Sequence, residues 1–348
     1  MSEIAVDWRP TASLDVLRRR ADLLRRLRHF FDARGFWEAE TPCLSHDTVV
    51  DRHLDPIEVQ ASLIGCVASS RVQHRDAPLW LQTSPEFGMK RLLAAGAEAI
   101  YQVAKSFRAD ETGRLHNPEF TMVEWYRVGD DYVVGMELLA ELAKELLEAD
   151  EIERVTYSHA FQQRVGLDPL SASVSELKRR AIDARLSFPD SWLATDAEHD
   201  VETYRDHWLD LLLVELVQPH LGLERPTILH DYPASQSALA RVRPRDEDGV
   251  SGPLVAERFE LYVRGIELAN GYHELLDAAV LAARNESNNA ARLRDGKSPL
   301  PSDSRLLSAM REGLPACAGT ALGFDRLAMV AFGLESVEQV MAFPIDRA

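Results

Sequence analysis

Two strand-like runs, Ile100-Tyr101-Gln102-Val103 and Phe120-Thr121-Met122-Val123-Glu124-Trp125-Tyr126, bracket a polar stretch from Ser106 to Glu119 that holds arginines, acids and a histidine. The alternation in the second run is that of a strand with one face open to a site. Together they read as a hairpin with a charged tip. An arginine fixed at a strand end, such as Arg108, can bind a carboxylate or phosphate oxygen bidentately and hold charge that develops during group transfer. Phe120 would offer an aromatic face to a planar base. A surface hairpin with a salt-bridged tip explains the loop equally well.

Around this hairpin, Leu14, Leu17, Leu24, Leu27 and Phe31 follow helical spacing, with Ser13 as N-cap and Gly35 as stop. Gly35 to Pro42 reads as extended, and Leu79 to Thr83 as a short strand. Helical patterns recur at Val134–Ala149, Val174–Leu186, Val201–Val217 and roughly 274–294. Arg243 to Gly249 reads as a polar surface loop. Strands return at Arg258–Val263 and Gly265–Ala269. The expectation is one α+β domain over 1–348, an antiparallel sheet flanked by helices with a helical insertion at about 150–220.

The net charge of -17 argues against unspecific wrapping of nucleic acid by the whole surface. A local basic patch remains, because Arg18/Arg25 and Arg19/Arg26 share one helical face. That face reads first as solvated surface, with docking of an acidic partner as the alternative. No window approaches the ~20 apolar residues of a membrane span. The N-terminus lacks a secretory pattern. Cys43, Cys66 and Cys317 have no metal-ligand spacing, so reduced thiols in a cytoplasmic protein are expected.

Two further clusters carry chemistry. Glu260, Glu267, Asn270, Tyr272 and Glu274 fall within fifteen residues of one another, interleaved with apolar positions. Carboxylates at this density suit Mg²⁺ bridging a polyphosphate, or recognition of an ammonium group. Alternation places Glu267 on the same face as Ala269. The other cluster is Gly319-Thr320-Ala321-Leu322-Gly323-Phe324-Asp325-Arg326, where small residues permit close backbone approach and an arginine opens a helix. Taken alone, those glycines are better explained by packing.

In this order the segments resemble the signature motifs of class II aminoacyl-tRNA synthetases: Gly35–Pro42 motif 1, Phe107–Glu124 motif 2, and Gly319–Arg326 motif 3. Thr83-Ser84-Pro85-Glu86, His116 to Tyr126, and Glu267 to Glu274 resemble the lysyl branch. Motif 1 begins near residue 35, leaving no room here for the anticodon-binding domain of that branch. The chain is therefore most similar to the elongation factor P–lysine ligase family, which also shares Asp51-Arg52-His53-Leu54, Pro233-Ala234-Ser235-Gln236 and Phe343 to Ala348.

The resemblance implies ATP-dependent activation of (R)-β-lysine and its transfer to a lysine of elongation factor P. It implies a cytoplasmic homodimer formed through motif 1, with tRNA not expected as a partner. Glu274 and Tyr126 would hold the side-chain ammonium and Glu86 the other amine, in a pocket with Ser84, Pro85, Glu124, Tyr272 and Ala321. Arg108 and Asn270 would grip the carboxylate. Arg108, Ala109, Asp110, His116, Asn117, Phe120, Glu267, Leu268, Gly323 and Arg326 would seat ATP, with Glu260 and Glu267 on Mg²⁺. Arg108 and Arg326 would be the catalytic pair. Two departures are visible: Asp110 stands where motif 2 usually has Glu, and Ala321 where lysyl-tRNA synthetases have Gly. The rival readings are an adenylate-forming paralogue with another acceptor (tRNA, lipid or small molecule) and a non-catalytic amino-acid-binding regulator.

Overall fold

The computed structural model of the protein describes residues 8–60, 78–193, 201–247 and 250–348. In chain order the elements are α1 (Leu14–Asp32), β1 (Trp37–Glu38), β2 (Leu44–Ser45), β3 (Glu58–Val59), β4 (Leu79–Leu81), α2 (Glu86–Ala94), β5 (Ala99–Phe107) and β6 (Glu119–Val128). There follow α3 (Tyr132–Leu147), β7 (Glu153–Thr156), α4 (Tyr157–Val165), α5 (Val174–Asp183), α6 (Val201–Leu212), β8 (Thr227–Pro233), β9 (Val242–Glu247), β10 (Val250–Val263) and β11 (Ile266–His273). The chain closes with α7 (Ala278–Arg294), α8 (Arg305–Gly313), β12 (Cys317–Gly323) and α9 (Phe324–Ala331). These elements form two compact units, Met1–Gly129 with Leu276–Ala348, and Asp130–Leu275.

In the first unit β5, β6 and β12 form an antiparallel sheet, and β1 joins β5 in parallel. The expected hairpin is present, with β5 and β6 paired from Ala99↔Arg127 to Phe107↔Glu119. The expected first helix is also found. Ser13 caps α1 by accepting the Val16 N–H at 3.2 Å, and Gly35 follows its end at φ 79°. Its apolar stripe buries Leu23, Leu27, Phe30 and Phe31. Phe31 stacks on Tyr101 at 4.7 Å and meets Trp125 at 5.2 Å, so α1 covers the face of the sheet that carries those two residues. Alternation sends Gln102, Glu124 and Tyr126 to the opposite face.

Several arginines of α1 are used within the chain rather than left as a solvated face. Arg20 pairs with Asp325 at 2.7 Å and donates to Thr121, Arg28 pairs with Glu38 at 2.9 Å, and Arg19 lies over the Phe332 ring. Elsewhere in this unit Arg292 of α7, 3% exposed, donates to the carbonyls of Asp51, Leu54 and Ser298 and pairs with Asp55 at 2.9 Å. Arg52 and Asp295 add a two-pronged pair at 2.6 and 2.8 Å.

The second unit pairs β11, β10 and β8 antiparallel, with β7 parallel to β8. The helices of 150–220 form its core with the sheet: Phe161, Leu177, Trp208 and Leu212 pack in one cluster with Leu229, Tyr232 and Ala256. Local signals explain these helices. Thr156 caps α4, and Ser173 with Glu176 forms a reciprocal capping box on α5. The expected polar loop at 243–247 is instead strand β9, paired with β10 through Arg243↔Val255 and Pro244↔Leu254, while 248–249 lie outside the described residues. A proline and alternating charges are tolerated there because β9 pairs on one side only.

Candidate functional site

The β5–β6–β12 register builds a row of three side chains. Gln102 and Ala321 stand directly opposite Glu124 on either side, so all three share one face. Tyr126 lies two residues along and donates to Glu124 Oε2 at 3.0 Å. The Ser84 hydroxyl bonds the other oxygen, Oε1, and Ser84 Oγ also accepts the N–H of Glu86 at 3.1 Å where α2 begins. One turn further, Lys90 reaches back to Glu86 and lies 5.9 Å from the centre of the Tyr126 ring. Glu124, Lys90 and Tyr126 are 1%, 2% and 4% exposed, so two carboxylates and an ammonium share a desolvated pocket. Burial, and then the neighbouring Glu86, push the Glu124 carboxyl up to about 8.

This pocket holds Ser84, Glu86, Glu124, Tyr126 and Ala321 together, as expected, and adds Lys90, which sequence reading missed. Its Glu86-to-Lys90 spacing of i,i+4 was the available signal. The close approach of α2 depends on Gly88, where a Cβ would meet Thr41 Cβ at 2.7 Å. Thr41 in turn donates to Gln102 at 3.0 Å, linking motif 1 to the row beside Glu124.

Arg108 begins the polar loop where β5 ends. Its guanidinium lies over the Phe120 ring at 5.0 Å and 3.6 Å from Glu111, and its Nε is buried without a hydrogen-bond partner. A buried orphaned donor on an arginine is costly unless an oxygen ligand completes it. Ala109 donates its N–H to the Asp55 carbonyl at 2.8 Å, and Asp110 is exposed with a left-handed φ of 60°. At the hairpin tip His116 lies 2.7 Å from Arg326, the third residue of α9, which also donates to the Leu115 carbonyl at 3.2 Å. Burial and then Arg326 lower the His116 pKa. Gly323 stands at the N-cap of α9, so unpaired N–H groups and the helix dipole favour anionic groups there. Asn117 is held at both ends, donating to Glu119 O at 2.6 Å and accepting from Ile345 N at 3.0 Å.

In the second unit Glu260, 3% exposed, receives the hydroxyls of Tyr232 (2.6 Å) and Tyr262 on Oε2, and Arg258 on Oε1. A carboxylate has about four lone-pair directions, so one remains on Oε1. Alternation alone sends Glu267 to the other face. The structure corrects this, because the β10–β11 register shifts by one between Leu261↔Ala269 and Tyr262↔Glu267, leaving Leu268 as the extra residue. Glu267 therefore sits opposite Tyr262 and shares the face of Glu260. Asn270 stands opposite Glu260 and donates to the Tyr272 hydroxyl at 3.0 Å, with its Oδ1 buried and unpartnered. Glu274 is 1% exposed. Among the described residues no group of three or more His, Cys, Asp and Glu is arranged to hold a metal. Two carboxylates fit Mg²⁺ in its usual role, where phosphate oxygens and water supply the other ligands.

The family model for tRNA synthetases class II (D, K and N) matches residues 1–347. The chain belongs to that family. Among its relatives, this class II synthetase is 46% identical over 342 residues to the elongation factor P–(R)-β-lysine ligase of Vibrio vulnificus (strain YJ016), covering 98% of this chain and 99% of that protein. It is 45% identical over 342 residues to the ligase of the same name from Vibrio cholerae serotype O1 (98% and 99% covered). The Salmonella dublin ligase is 44% identical over 348 residues, with both chains covered completely. The α+β class expected from the sequence is therefore the fold of this synthetase, and no helix among its described residues is long and apolar enough to cross a membrane.

Proposed function

We propose that this class II synthetase activates (R)-β-lysine with ATP and transfers it to a lysine side chain of elongation factor P. The observation that carries the reading is end-to-end similarity to ligases of that name at 44–46% identity. The buried amine pocket around Glu124 is the chemistry such a substrate needs.

Glu86, with Ser84, Pro85 and Glu124 beside it, would take one ammonium group, and Glu274 with Tyr272 the other. Arg108, through its orphaned Nε, and Asn270, through its orphaned Oδ1, would meet the carboxylate end. A substrate carboxylate oxygen attacks the α-phosphorus of ATP, and pyrophosphate leaves as the acyl-adenylate forms. Arg108 and Arg326 stabilise charge on the phosphates, and Phe120, Ala109, Asp110, His116 and Asn117 seat the nucleotide. Leu268 and Gly323 line its pocket. Mg²⁺, bound by Glu260 and Glu267, would neutralise phosphate charge. The acceptor amine then attacks the activated carbonyl, the C–O bond to AMP breaks, and an amide remains. No protein nucleophile is required, so rate comes from positioning and charge stabilisation. We place the reaction in the cytoplasm, carried out by a homodimer formed through Gly35–Pro42, with residues 1–348 as one catalytic domain.

The test is ATP–pyrophosphate exchange with (R)-β-lysine and α-lysine side by side, then mass spectrometry of elongation factor P incubated with the enzyme. Exchange with (R)-β-lysine and one added β-lysyl mass is the expected result. Exchange without modification would redirect the reading to another acceptor, and exchange with neither isomer would overturn it.

A further inference from the structure

Lys90 is the one element of the amine pocket that the proposed chemistry leaves without a role. A lysine that is 2% exposed has given up nearly all of its hydration. Such a group stays charged only where a carboxylate meets it, and Glu86 does so from one helical turn away. The other charged group of the pocket is Glu124, whose two oxygens receive neutral hydroxyls, from Ser84 and Tyr126. The flanking strands bring no charge to this row, since Gln102 and Ala321 stand on either side of Glu124. Helix α8, packed on α2, buries Leu306, Leu307 and Met310, and its Arg305 and Arg311 are paired with Asp47 and Asp303. The pocket's charge is thus set by Glu86, Lys90 and Glu124.

We propose that Lys90 is a specificity-determining residue: it cancels Glu86, leaves one uncompensated carboxylate, and so tunes the pocket to a single ammonium group. The ligand class is an amino acid whose two amines are separated by several methylenes, so that only one of them reaches this end. The inference rests on the proposed reading of Glu86 and its neighbours as the amine site. It goes beyond that reading in giving the lysine a charge-setting role distinct from packing. Glu124 must be ionised to attract the ammonium, and its carboxyl lies at about 8 in the empty pocket, so its proton is lost on binding. Lys90 holds that ionisation within reach of neutral pH.

The experiment is ATP–pyrophosphate exchange across pH 6.5–10 with (R)-β-lysine, on the wild type, K90M, K90R, E86Q and E86Q/K90M. In the wild type the KM for the amino acid falls as pH rises toward Glu124 ionisation. In K90M two carboxylates face each other without a cation, and the profile moves alkaline by about one pH unit, a roughly tenfold higher KM near neutral pH. K90R keeps the wild-type profile. E86Q leaves the ammonium unopposed and moves the profile toward acid. E86Q/K90M removes both charges, so its profile returns to the wild-type position while KM stays raised by loss of the Glu86 contact. A lysine that only packs α2 would leave all five profiles superimposed on the pH axis, with the double variant no better placed than K90M. That outcome, with the wild type active, overturns the role of Lys90 and leaves the proposed function standing; a wild type inactive with every lysine isomer overturns the function itself. Should K90M fail to fold, as an altered KM for ATP would reveal, the acid shift of E86Q decides alone.

Discussion

Arg326 Nη2 lies 2.7 Å from His116 Nε2, joining the start of α9 to the tip of the β5–β6 hairpin. A guanidinium only donates, so Nε2 is the acceptor and any proton on the neutral ring sits on Nδ1. The lowered pKa of His116, from burial and then from Arg326, keeps the ring neutral down to below its ordinary 6.5. His116→Ala should therefore raise the KM for ATP by about tenfold, the loss of one hydrogen bond to a charged group, and leave the amino-acid KM within about twofold. In the wild type the KM for ATP should climb on the acid side, where a protonated ring can no longer accept from Arg326. H116A should lack that limb. Steady-state exchange kinetics from pH 5 to 8 would show both, and a parallel rise in both KM values would count against a nucleotide role.

Glu124 makes the pocket a stability liability in the empty enzyme. Its carboxyl is raised from 4.5 to about 8, so between those pH values the folded chain holds a proton that the unfolded chain has released. Stability accordingly declines as pH rises from 4.5 to 8 and levels off above. Glu124→Gln keeps the hydrogen-bonding shape without the charge. It should stabilise the protein by about 3–5 kcal/mol at pH 8.5 and by little at pH 4.5, because each tenfold change in proton affinity is worth about 1.36 kcal/mol. Urea unfolding at the two pH values is the measurement. The same variant should abolish exchange, and equal stabilisation at both values would refute the account.

Arg292 is a second place where one side chain closes many bonds. Replacing it with Met would strand the carbonyls of Asp51, Leu54 and Ser298 and leave Asp55 with Lys297 alone, at 2.6 Å. The expected loss is about 3–5 kcal/mol, the range for removing one partner of a buried pair. Because Asp55 also holds the N–H of Ala109, nucleotide affinity should weaken in step with stability. Arg292→Lys, with fewer donors, should recover part of each in thermal melts and exchange assays.

Ala321 stands directly across from Glu124, so its methyl group forms part of the pocket floor. Ala321→Gly should lower the preference for (R)-β-lysine over α-lysine by about 1–3 kcal/mol, the usual scale for one methyl group in a pocket. The ratio of kcat/KM values for the two isomers reads this directly. An unchanged ratio would mean that Ala321 does not discriminate between them.

The hairpin, the N-capped first helix and the ordered motifs were legible in the sequence because each follows from local periodicity or from a compact pattern of charged and small residues. The row Gln102–Glu124–Ala321 was not, since residues that far apart in sequence become neighbours only through strand register. Lys90 was hidden for a different reason: a lysine on an amphipathic helix ordinarily faces water, and only the sheet beneath α2 buries it. Strand β9 was misread because Pro244 and its charged neighbours argue locally for a loop, and pairing with β10 overrides them. Asp325 looked like a spacer inside motif 3, yet it accepts the Thr121 N–H at 2.6 Å and pairs with Arg20.

The one-residue shift at Leu268 has a reach well beyond two strands. An uninterrupted β10–β11 ladder would be the more regular structure, and it would point Glu260 and Glu267 to opposite sides of the sheet. Deleting Leu268 would thus tidy the backbone and separate the carboxylate pair offered to the cation. The imperfection is where the fold and the chemistry ask for different things, and the chain has settled in favour of the chemistry. In redesigning such a sheet for stability, this is the irregularity to leave alone.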